Sequence, residues 1–317
     1  MILTVILLLA GFYLLIKGGD WLVDGAAAVA RRNGVSELII GLTIVAFGTS
    51  APELVVSLFA ALGGNADISV SNVVGSNLFN LMFILGICGL IIPLAVSKST
   101  VKLEIPFSII AVLVLMILGN DMFLSDSRFM LSRIDGVILL VFFSGFMYHI
   151  WRSIQSGENE KVTDGIMSNG KAVLFIILGL AGLVLGGRFV VNSAVSIAEY
   201  FKVSQKLIGL TIVATGTSLP ELVTSIVAAR KKSMDIAIGN VVGSNIFNIF
   251  LILGVSATVT PINYNPAFNT DIIILIAGTL FIMLAMFVGK KHQLDRWQAA
   301  VLLVVYVAYI VYIANRN

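Results

Sequence analysis

The sequence carries little charge. Only 12% of its 317 residues are Asp, Glu, Lys or Arg, against about 25% in an average soluble domain. Hydrophobic residues make up 58%, and the mean hydropathy is +1.03. A water-soluble globule of this size has to cover its surface with polar groups, and this chain has too few of them. The composition excludes a soluble enzyme, a nucleic-acid-binding protein and a disordered chain, and it predicts an integral membrane protein.

Thiol and imidazole groups are also scarce. The single cysteine, Cys88, cannot form an internal disulfide, so the fold does not depend on an oxidising compartment. The two histidines, His149 and His292, are predicted at or beyond helix ends. A serine nucleophile within the membrane would therefore lack a nearby base, and Gly-x-Ser-x-Gly, His-Glu-x-x-His and phosphate-loop motifs are absent. These absences predict that the protein is not an enzyme, and they disfavour ATP-driven pumping by this chain alone.

Apolar runs of the length that crosses about 30 Å of hydrocarbon fill most of the chain. A β-barrel is disfavoured, because its strands alternate in polarity and are about 10 residues long. The predicted fold is an all-α integral membrane protein with ten transmembrane helices. Their predicted ranges are about 2–30, 37–62, 68–93, 104–119, 134–152, 171–199, 206–230, 236–260, 270–289 and 296–314.

The chain contains an internal repeat with an offset of 168 residues. Residues 41–61 read GLTIVAFGTSAPELVVSLFAA and residues 209–229 read GLTIVATGTSLPELVTSIVAA, with 16 of 21 positions identical. The segments NVVGSNLFNLMFILG at 72–86 and NVVGSNIFNIFLILG at 240–254 share 11 of 15 positions. A polar linker at 153–170 separates a first five-helix repeat, 1–152, from a second, 171–317.

Each repeat holds five predicted spans, which is an odd number, so the second repeat enters the membrane from the opposite side. This is an inverted-topology repeat, an architecture of many secondary transporters, whose binding site lies near the midplane where the repeats meet. Maintenance of the fold alone would preserve hydropathy, and not a matching set of Thr, Ser, Asn and Glu.

Lys and Arg are distributed unevenly between the two predicted sides of the membrane. The side that holds the 153–170 linker carries 13 of them in its loops, and the opposite side carries 5. Because cytoplasmic loops are enriched in Lys and Arg, the linker is predicted to be cytoplasmic and both termini outside. The predicted location is the cell membrane, with multiple passes.

Two Gly-Thr-Ser-x-Pro-Glu segments, at 48–53 and 216–221, interrupt predicted spans. Pro52 and Pro220 have no N–H, so the carbonyls four residues earlier lose their helical partners. If the helices unwind, the carbonyls of Ala46 and Ala214 are also freed. Non-helical backbone at this depth is tolerated only where it lines a cavity or is buried in protein, so these carbonyls are candidate cation ligands.

Glu53 and Glu221 are the acidic residues in the interiors of the second and seventh predicted spans. A charge at the bilayer centre costs about 2.5–3.5 kcal/mol or more, so such residues are functional candidates. Helical spacing places other oxygen-bearing side chains in stripes on single helix faces. The four stripes are Thr49, Glu53 and Ser57; Asn72, Ser76 and Asn80; Thr217, Glu221 and Ser225; and Asn240, Ser244 and Asn248.

These stripes offer only carboxylate, hydroxyl, amide and carbonyl oxygen. Oxygen ligands suit Ca²⁺, which takes about 6–8 of them, and Na⁺ is a hard cation of similar size. Two glutamates supply a charge of −2, which matches one Ca²⁺. For Ser57 and Ser225 a packing role is favoured over ligation, while Asp20 and Asp24 are read either as gate residues or, preferably, as residues near the cytoplasmic interface.

The paired GTSAPE and GTSLPE segments, each followed by NVVGSN, resemble the α-repeats of the calcium/cation antiporter superfamily, and within it prokaryotic sodium/calcium exchangers. The resemblance covers essentially the whole chain. It implies alternating access at a central cluster of four sites that binds either one Ca²⁺ or several Na⁺. It also implies that the first and sixth spans slide across the other eight, a movement that their paired glycines, Gly18-Gly19 and Gly186-Gly187, would suit.

The resemblance further implies which residues bind the ions. The implied Ca²⁺ ligands are Glu53, Glu221, Thr49 and Thr217. The implied flanking Na⁺ sites use Ser50, Ser76, Ser218 and Ser244 with the carbonyls of Ala46 and Ala214, and the middle site is lined by Asn80 and Asn248. No cofactor is implied beyond the transported ions, and no obligate protein partner is evident besides the surrounding lipid.

One position departs from relatives of this superfamily. Many animal exchangers have Asp where this chain has Asn248, so the cavity here holds two acids instead of three. Ca²⁺, two Na⁺ or two protons would balance the two glutamates, whereas three Na⁺ would leave a charge of +1, which is costly in a low-dielectric site. The coupling ion and the stoichiometry therefore stay open, and potassium dependence is disfavoured.

Two alternatives to Na⁺-coupled Ca²⁺ exchange are considered. An H⁺-coupled antiporter would keep the fold and the two glutamates, although its motifs usually differ from GTS-x-PE. A cation channel would conduct without a counter-ion, but an inverted repeat with broken helices favours a transporter.

Overall fold

The computed structural model describes residues 2–63, 67–120, 129–155, 167–202, 214–289 and 292–316, with the main chain alone at 67, 214 and 316. Within these ranges the chain is almost entirely helical. The helices in chain order are α1 (Ile2–Asn33), α2 (Glu37–Thr49), α3 (Ala51–Leu62), α4 (Ile68–Ile91), α5 (Thr100–Gly119), α6 (Arg133–Gln155), α7 (Asn169–Tyr200), α8 (Ala214–Gly216), α9 (Leu219–Arg230), α10 (Met234–Val259), α11 (Phe268–Ala285) and α12 (Arg296–Arg316).

The prediction of an all-helical membrane protein is confirmed. Among the described residues, eight helices are long and apolar enough to cross a membrane, and α2 and α3 together form a ninth span, bent by 46°. The predicted span 206–230 is described only from residue 214 onward, as α8 and α9. Residues 156–166 of the predicted linker also lie outside the described residues.

The centre of the protein is formed by α4 and α10. The most apolar window of α10 is 94% buried and that of α4 is 72% buried, whereas the corresponding windows of α1 and α12 are each 22% buried. Large apolar side chains on the outer helices, such as Ile2 and Val304, are exposed. This is the arrangement expected of a protein whose outer surface faces lipid.

Four helices contain π-helical segments. They lie at Gly41–Val45 in α2, Phe79–Ile84 in α4, Thr100–Glu104 in α5 and Phe247–Leu253 in α10. Such segments are rare in helices and occur frequently at functional sites. The segment in α5 extends that helix four residues before its predicted start at 104, because Thr100 and Lys102 weaken the apolar signal there.

Two short antiparallel ribbons connect the halves of the chain. Leu94–Ala95, after α4, pairs with Gln293–Leu294, and Ile262–Asn263, after α10, pairs with Met130–Leu131. The strands after α4 and α10 stand at the repeat offset of 168 residues. Each half therefore contributes one strand to each ribbon.

The helices α1 and α7 pack against each other in antiparallel directions through glycine. Gly11 faces Gly186 and Gly18 faces Gly179, so the contact order on one helix is reversed on the other. A Cβ atom built on Gly18 would lie 2.8 Å from the backbone oxygen of Gly179. Only residues without a side chain allow two helix backbones to approach this closely.

The neighbouring glycines in the sequence, Gly19 and Gly187, lie outside this contact. A Cβ atom on Gly19 would face the side chain of Val223 on α9, at 3.2 Å. A Cβ atom on Gly187 would have no described atom outside its own helix turn within 4 Å. The four glycines are predicted to suit a moving contact of the first and sixth spans with the other eight, but Gly18 and Gly186 lie instead in the contact between α1 and α7. Of the four, only Gly19 faces another of the described helices, α9.

Candidate ion-binding site

Both Gly-Thr-Ser-x-Pro-Glu segments break their helices at the serine. Ser50 has φ −82° and ψ 4°, and Ser218 has φ −89° and ψ 9°. The prolines fall in the first turn of α3 and α9, where a missing N–H costs no helical hydrogen bond. Each segment therefore starts a new helix within a span.

The two glutamates lie in the first turn of these new helices and are almost completely buried. Glu53 is 1% exposed and Glu221 is 0% exposed. The N-terminus of a helix carries a partial positive charge from its free N–H groups, which favours a carboxylate there. The breaks thus place two acidic groups within the protein and give each a helix end that stabilises negative charge.

Hydrogen bonds cross between the halves of the chain at the two breaks. Ser50 Oγ donates to Glu221 Oε1 at 2.9 Å, and Ser218 Oγ donates to Glu53 Oε1, also at 2.9 Å. Ser218 Oγ also lies 3.1 Å from Ser76 Oγ on α4. The two crossed bonds are related by the 168-residue offset, so each serine binds the glutamate of the other half.

Six oxygen atoms of the predicted site residues are buried and have no hydrogen-bond partner in the described part of the chain. They comprise two carboxylate, two amide and two hydroxyl oxygens: Glu53 Oε2, Glu221 Oε2, Asn80 Oδ1, Asn248 Oδ1, Thr217 Oγ1 and Ser244 Oγ. Thr217 lies beside the Glu53 carboxyl group, and Ser244 lies beside that of Glu221. Because buried polar atoms are normally hydrogen-bonded, such a set indicates a ligand that the oxygens would share.

Two further asparagines support the backbone of the glutamates. Asn72 Nδ2 donates to Ser57 Oγ at 3.0 Å and to the Glu53 carbonyl oxygen at 3.4 Å. Asn240 makes the equivalent bonds to Ser225 Oγ at 3.0 Å and to the Glu221 carbonyl oxygen at 3.3 Å. The hydroxyls of Ser57 and Ser225 therefore serve these asparagines, in line with the packing role favoured for them.

Thr49 and the Ala46 carbonyl are less free than the sequence suggested. Thr49 Oγ1 donates to Asn240 Oδ1 at 3.0 Å. The Ala46 carbonyl accepts the Ser50 N–H at 3.0 Å, because the bend begins only after this helical bond has formed. The same carbonyl oxygen lies 3.3 Å from Thr49 Oγ1, so both of its lone pairs have a donor within hydrogen-bond distance. At the equivalent position Ala214, the described main chain begins α8.

Two site residues that the sequence reasoning missed are Asn77 on α4 and Asn245 on α10. They are 0% and 1% exposed and contact each other across the centre of the protein. They also bind the predicted site residues Asn248 and Asn80. The motif NVVGSN contains them, but helical spacing assigned only its first Asn, its Ser and the Asn three residues further on to the site.

An ion-pair cluster joins α1 to the end of α9. Lys231 Nζ lies 2.8 Å from Asp24 Oδ1 and 3.2 Å from Asp20 Oδ1, and it donates to the Asp20 carbonyl oxygen at 3.1 Å. These side chains are partly exposed. In the part of the chain that the structure describes, no ion pair joins Asp20 to Arg188, its counterpart in the second repeat.

Comparisons with known proteins identify the family of this chain. The family described as "Sodium/calcium exchanger protein" matches residues 3–152 and 171–315. The chain is 37% identical over 322 residues to the putative antiporter CaxA of Alkalimonas amylolytica, covering 98% of each protein. It is 33% identical over 347 residues to the sodium/calcium exchanger MaX1 of Methanosarcina acetivorans, covering 96% of this chain and 97% of that protein.

A solved structure has the same fold. The sodium-calcium exchanger NCX_Mj, soaked with 10 mM Na⁺ and zero Ca²⁺, superimposes with a TM-score of 0.84 at 32% sequence identity, covering 98% of each chain. The resemblance drawn from the two motifs is thereby confirmed. The protein is a membrane transporter, and it belongs to the sodium/calcium exchanger family.

Proposed function

We propose that the protein is a secondary-active antiporter that exchanges Ca²⁺ for Na⁺ across the cell membrane by alternating access. The observation that carries the proposal is the set of six unpartnered buried oxygens, which includes one carboxylate oxygen each of Glu53 and Glu221. Hard oxygen ligands suit Ca²⁺, and the two carboxylates balance its charge. The names of MaX1 and NCX_Mj as sodium/calcium exchangers support the choice of ions.

Each of the twelve candidate residues has a role in this proposal. Ca²⁺ is held by the two glutamates with Thr49 and Thr217. Flanking Na⁺ ions use the four serines, Ser50, Ser76, Ser218 and Ser244, with the carbonyls of Ala46 and Ala214. Asn80 and Asn248 line the middle position, and their π-helical segments place both in helices of unusual geometry.

The architecture proposed for this carrier is ten spans in two inverted repeats, 1–152 and 171–317, joined by a cytoplasmic linker. Hydrogen bonds that recur at the 168-residue offset support it, as does the match of the family to both halves. In this proposal α1 and α7 slide across the remaining helices. Both termini lie outside.

The proposal predicts that Ca²⁺ uptake requires Na⁺ on the opposite side of the membrane. Purified protein is reconstituted into liposomes loaded with Na⁺, and ⁴⁵Ca²⁺ uptake is measured against liposomes loaded with choline. We expect uptake with internal Na⁺ and little without it. After the site has released Ca²⁺ it should return across the membrane only with a counter-ion bound.

A third set of liposomes carries a pH gradient and no Na⁺. Uptake driven by that gradient alone would assign the protein to H⁺-coupled exchange with the same glutamates. Uptake that needs no counter-ion would indicate a channel. Absence of any Ca²⁺ uptake would contradict Ca²⁺ as the substrate.

A further inference from the structure

The amides of Asn77 and Asn245 are bonded to each other's backbones. Asn77 Nδ2 donates to the carbonyl oxygen of Asn245 at 3.1 Å, and Asn245 Nδ2 donates to the carbonyl oxygen of Asn77 at 3.3 Å. A carbonyl oxygen can only accept. Both side chains must therefore turn their NH₂ groups toward the partner backbone, and each is left with its Oδ1 pointing away from it.

These two oxygens then determine the orientation of the next amides. Asn77 Oδ1 accepts from Asn248 Nδ2 at 2.9 Å, and Asn245 Oδ1 accepts from Asn80 Nδ2 at 3.2 Å. A flipped amide at 248 would place two acceptor oxygens against each other in a fully buried setting. The only orientation without such a clash leaves Asn80 Oδ1 and Asn248 Oδ1 free, as observed.

We infer that Asn77 and Asn245 are positioning residues that set cation affinity by presenting the oxygens, and not the NH₂ groups, of Asn248 and Asn80 to the transported ion. The inference rests on the proposed function. The orientation of the Asn77 and Asn245 amides is fixed by a backbone carbonyl in the other half of the chain. Each of them in turn orients an amide in the other half, and we call this arrangement the relay: Asn77 acts on Asn248, and Asn245 acts on Asn80.

The crossed arrangement makes the inference testable by double-mutant cycles, since coupled residues are non-additive and independent ones are additive. Equilibrium ⁴⁵Ca²⁺ binding is measured on purified protein with Na⁺ as competitor. Groups that orient metal ligands typically contribute about 10- to 100-fold to metal affinity, and we expect a loss in this range for Asn77→Ala. In the Asn248→Ala background, Asn77→Ala should cause no further loss of Ca²⁺ affinity. In the Asn80→Ala background, the fold-losses of affinity from the two substitutions should multiply, although Asn77 and Asn80 lie on the same helix.

The structure supplies both a control and a second cycle. Asn120 and Asn269 form a reciprocal amide pair outside the site, at 2.9 and 2.7 Å, so Asn120→Ala should leave the affinity within about twofold of the unsubstituted protein. The cycle of Asn245→Ala with Asn80→Ala tests the relay independently, should Asn77→Ala fail to fold.

Three results would contradict the inference. The positioning role alone would be wrong if the unsubstituted protein bound Ca²⁺ and neither Asn77→Ala nor Asn245→Ala weakened binding. It would also be wrong if Asn77→Ala lowered affinity equally in the Asn248→Ala and Asn80→Ala backgrounds, which is the result of general destabilisation. Failure of the unsubstituted protein to bind Ca²⁺ or Na⁺ would instead contradict the proposed function, and the positioning role with it.

Discussion

Replacing either glutamate of the site by glutamine is expected to weaken Ca²⁺ exchange severely. In the unsubstituted protein the Ser218 hydroxyl donates to Glu53 Oε1 at 2.9 Å. Glutamine at position 53 still offers an oxygen to this hydroxyl, so the substitution removes the charge and preserves the shape of the side chain. Leaving a buried charge without its partner costs about 2–5 kcal/mol, which corresponds to a loss of about 30-fold or more in affinity. The measurement is Na⁺-dependent ⁴⁵Ca²⁺ uptake as a function of Ca²⁺ concentration.

Glu104 on α5 provides the matched control. It is also a buried glutamate, 3% exposed, and its Oε1 accepts a hydrogen bond from Ser99 Oγ at 2.9 Å. It lies outside the proposed cluster, so Glu104→Gln should retain exchange. Equal losses in Glu104→Gln and Glu53→Gln would mean that any buried acid is needed for stability, and full activity of Glu53→Gln would rule out a role for that carboxylate in ion binding.

The second large effect is expected at the contact between α1 and α7. A Cβ atom on Gly186 would lie 2.8 Å from the backbone oxygen of Gly11 and 2.8 Å from the backbone nitrogen of Leu15. Backbone atoms cannot rotate away, so Gly186→Ala must push the helices apart. Overpacking of this kind costs about 1–3 kcal/mol. A free-energy change of that size shifts an equilibrium between two conformations of the protein by about 5- to 150-fold. We expect both exchange rate and thermal midpoint to fall.

Its neighbour Gly187 gives a comparison one residue away. Alanine there meets no described atom outside its own helix turn within 4 Å, so Gly187→Ala should keep the exchange rate and unfold at the same or a slightly higher temperature, because alanine is the better helix former. Similar losses in both variants would show that the close contact does not explain the effect, and helix propensity could not explain it either, because alanine is a better helix former than glycine.

Much of this fold could be predicted from the amino-acid sequence alone. An acidic residue within an apolar run is visible in the sequence itself, as is a repeat with a fixed offset, so Glu53, Glu221 and the helical fold were accessible. The pairing of side chains was not. Ser50 precedes Glu53 by three residues but binds Glu221, because the partner is decided by how the halves face each other.

The glycine contact and the role of Asn77 could be recognised only in the three-dimensional structure, each for a different reason. Gly18 and Gly19 are indistinguishable in sequence, yet consecutive residues on a helix point about 100° apart, and only Gly18 faces α7. Asn77 was missed because the stripe of Asn72, Ser76 and Asn80 lies on one helix face. Asn77 points to the other half, where its role is to orient an amide and not to hold an ion.

The contact of Lys231 with Asp20 and Asp24 has no counterpart in the sequence of the other repeat. The repeat-related positions are Gly63, Arg188 and Asn192, which cannot form the same cluster at the opposite side. In the proposed exchange cycle α1 moves relative to α9, so this cluster would favour one access state over the other. A partly exposed ion pair contributes about 0–1 kcal/mol and weakens with ionic strength. The two halves of the proposed cycle would then differ in speed, and the ionic strength on the side of this cluster would affect which of them limits turnover.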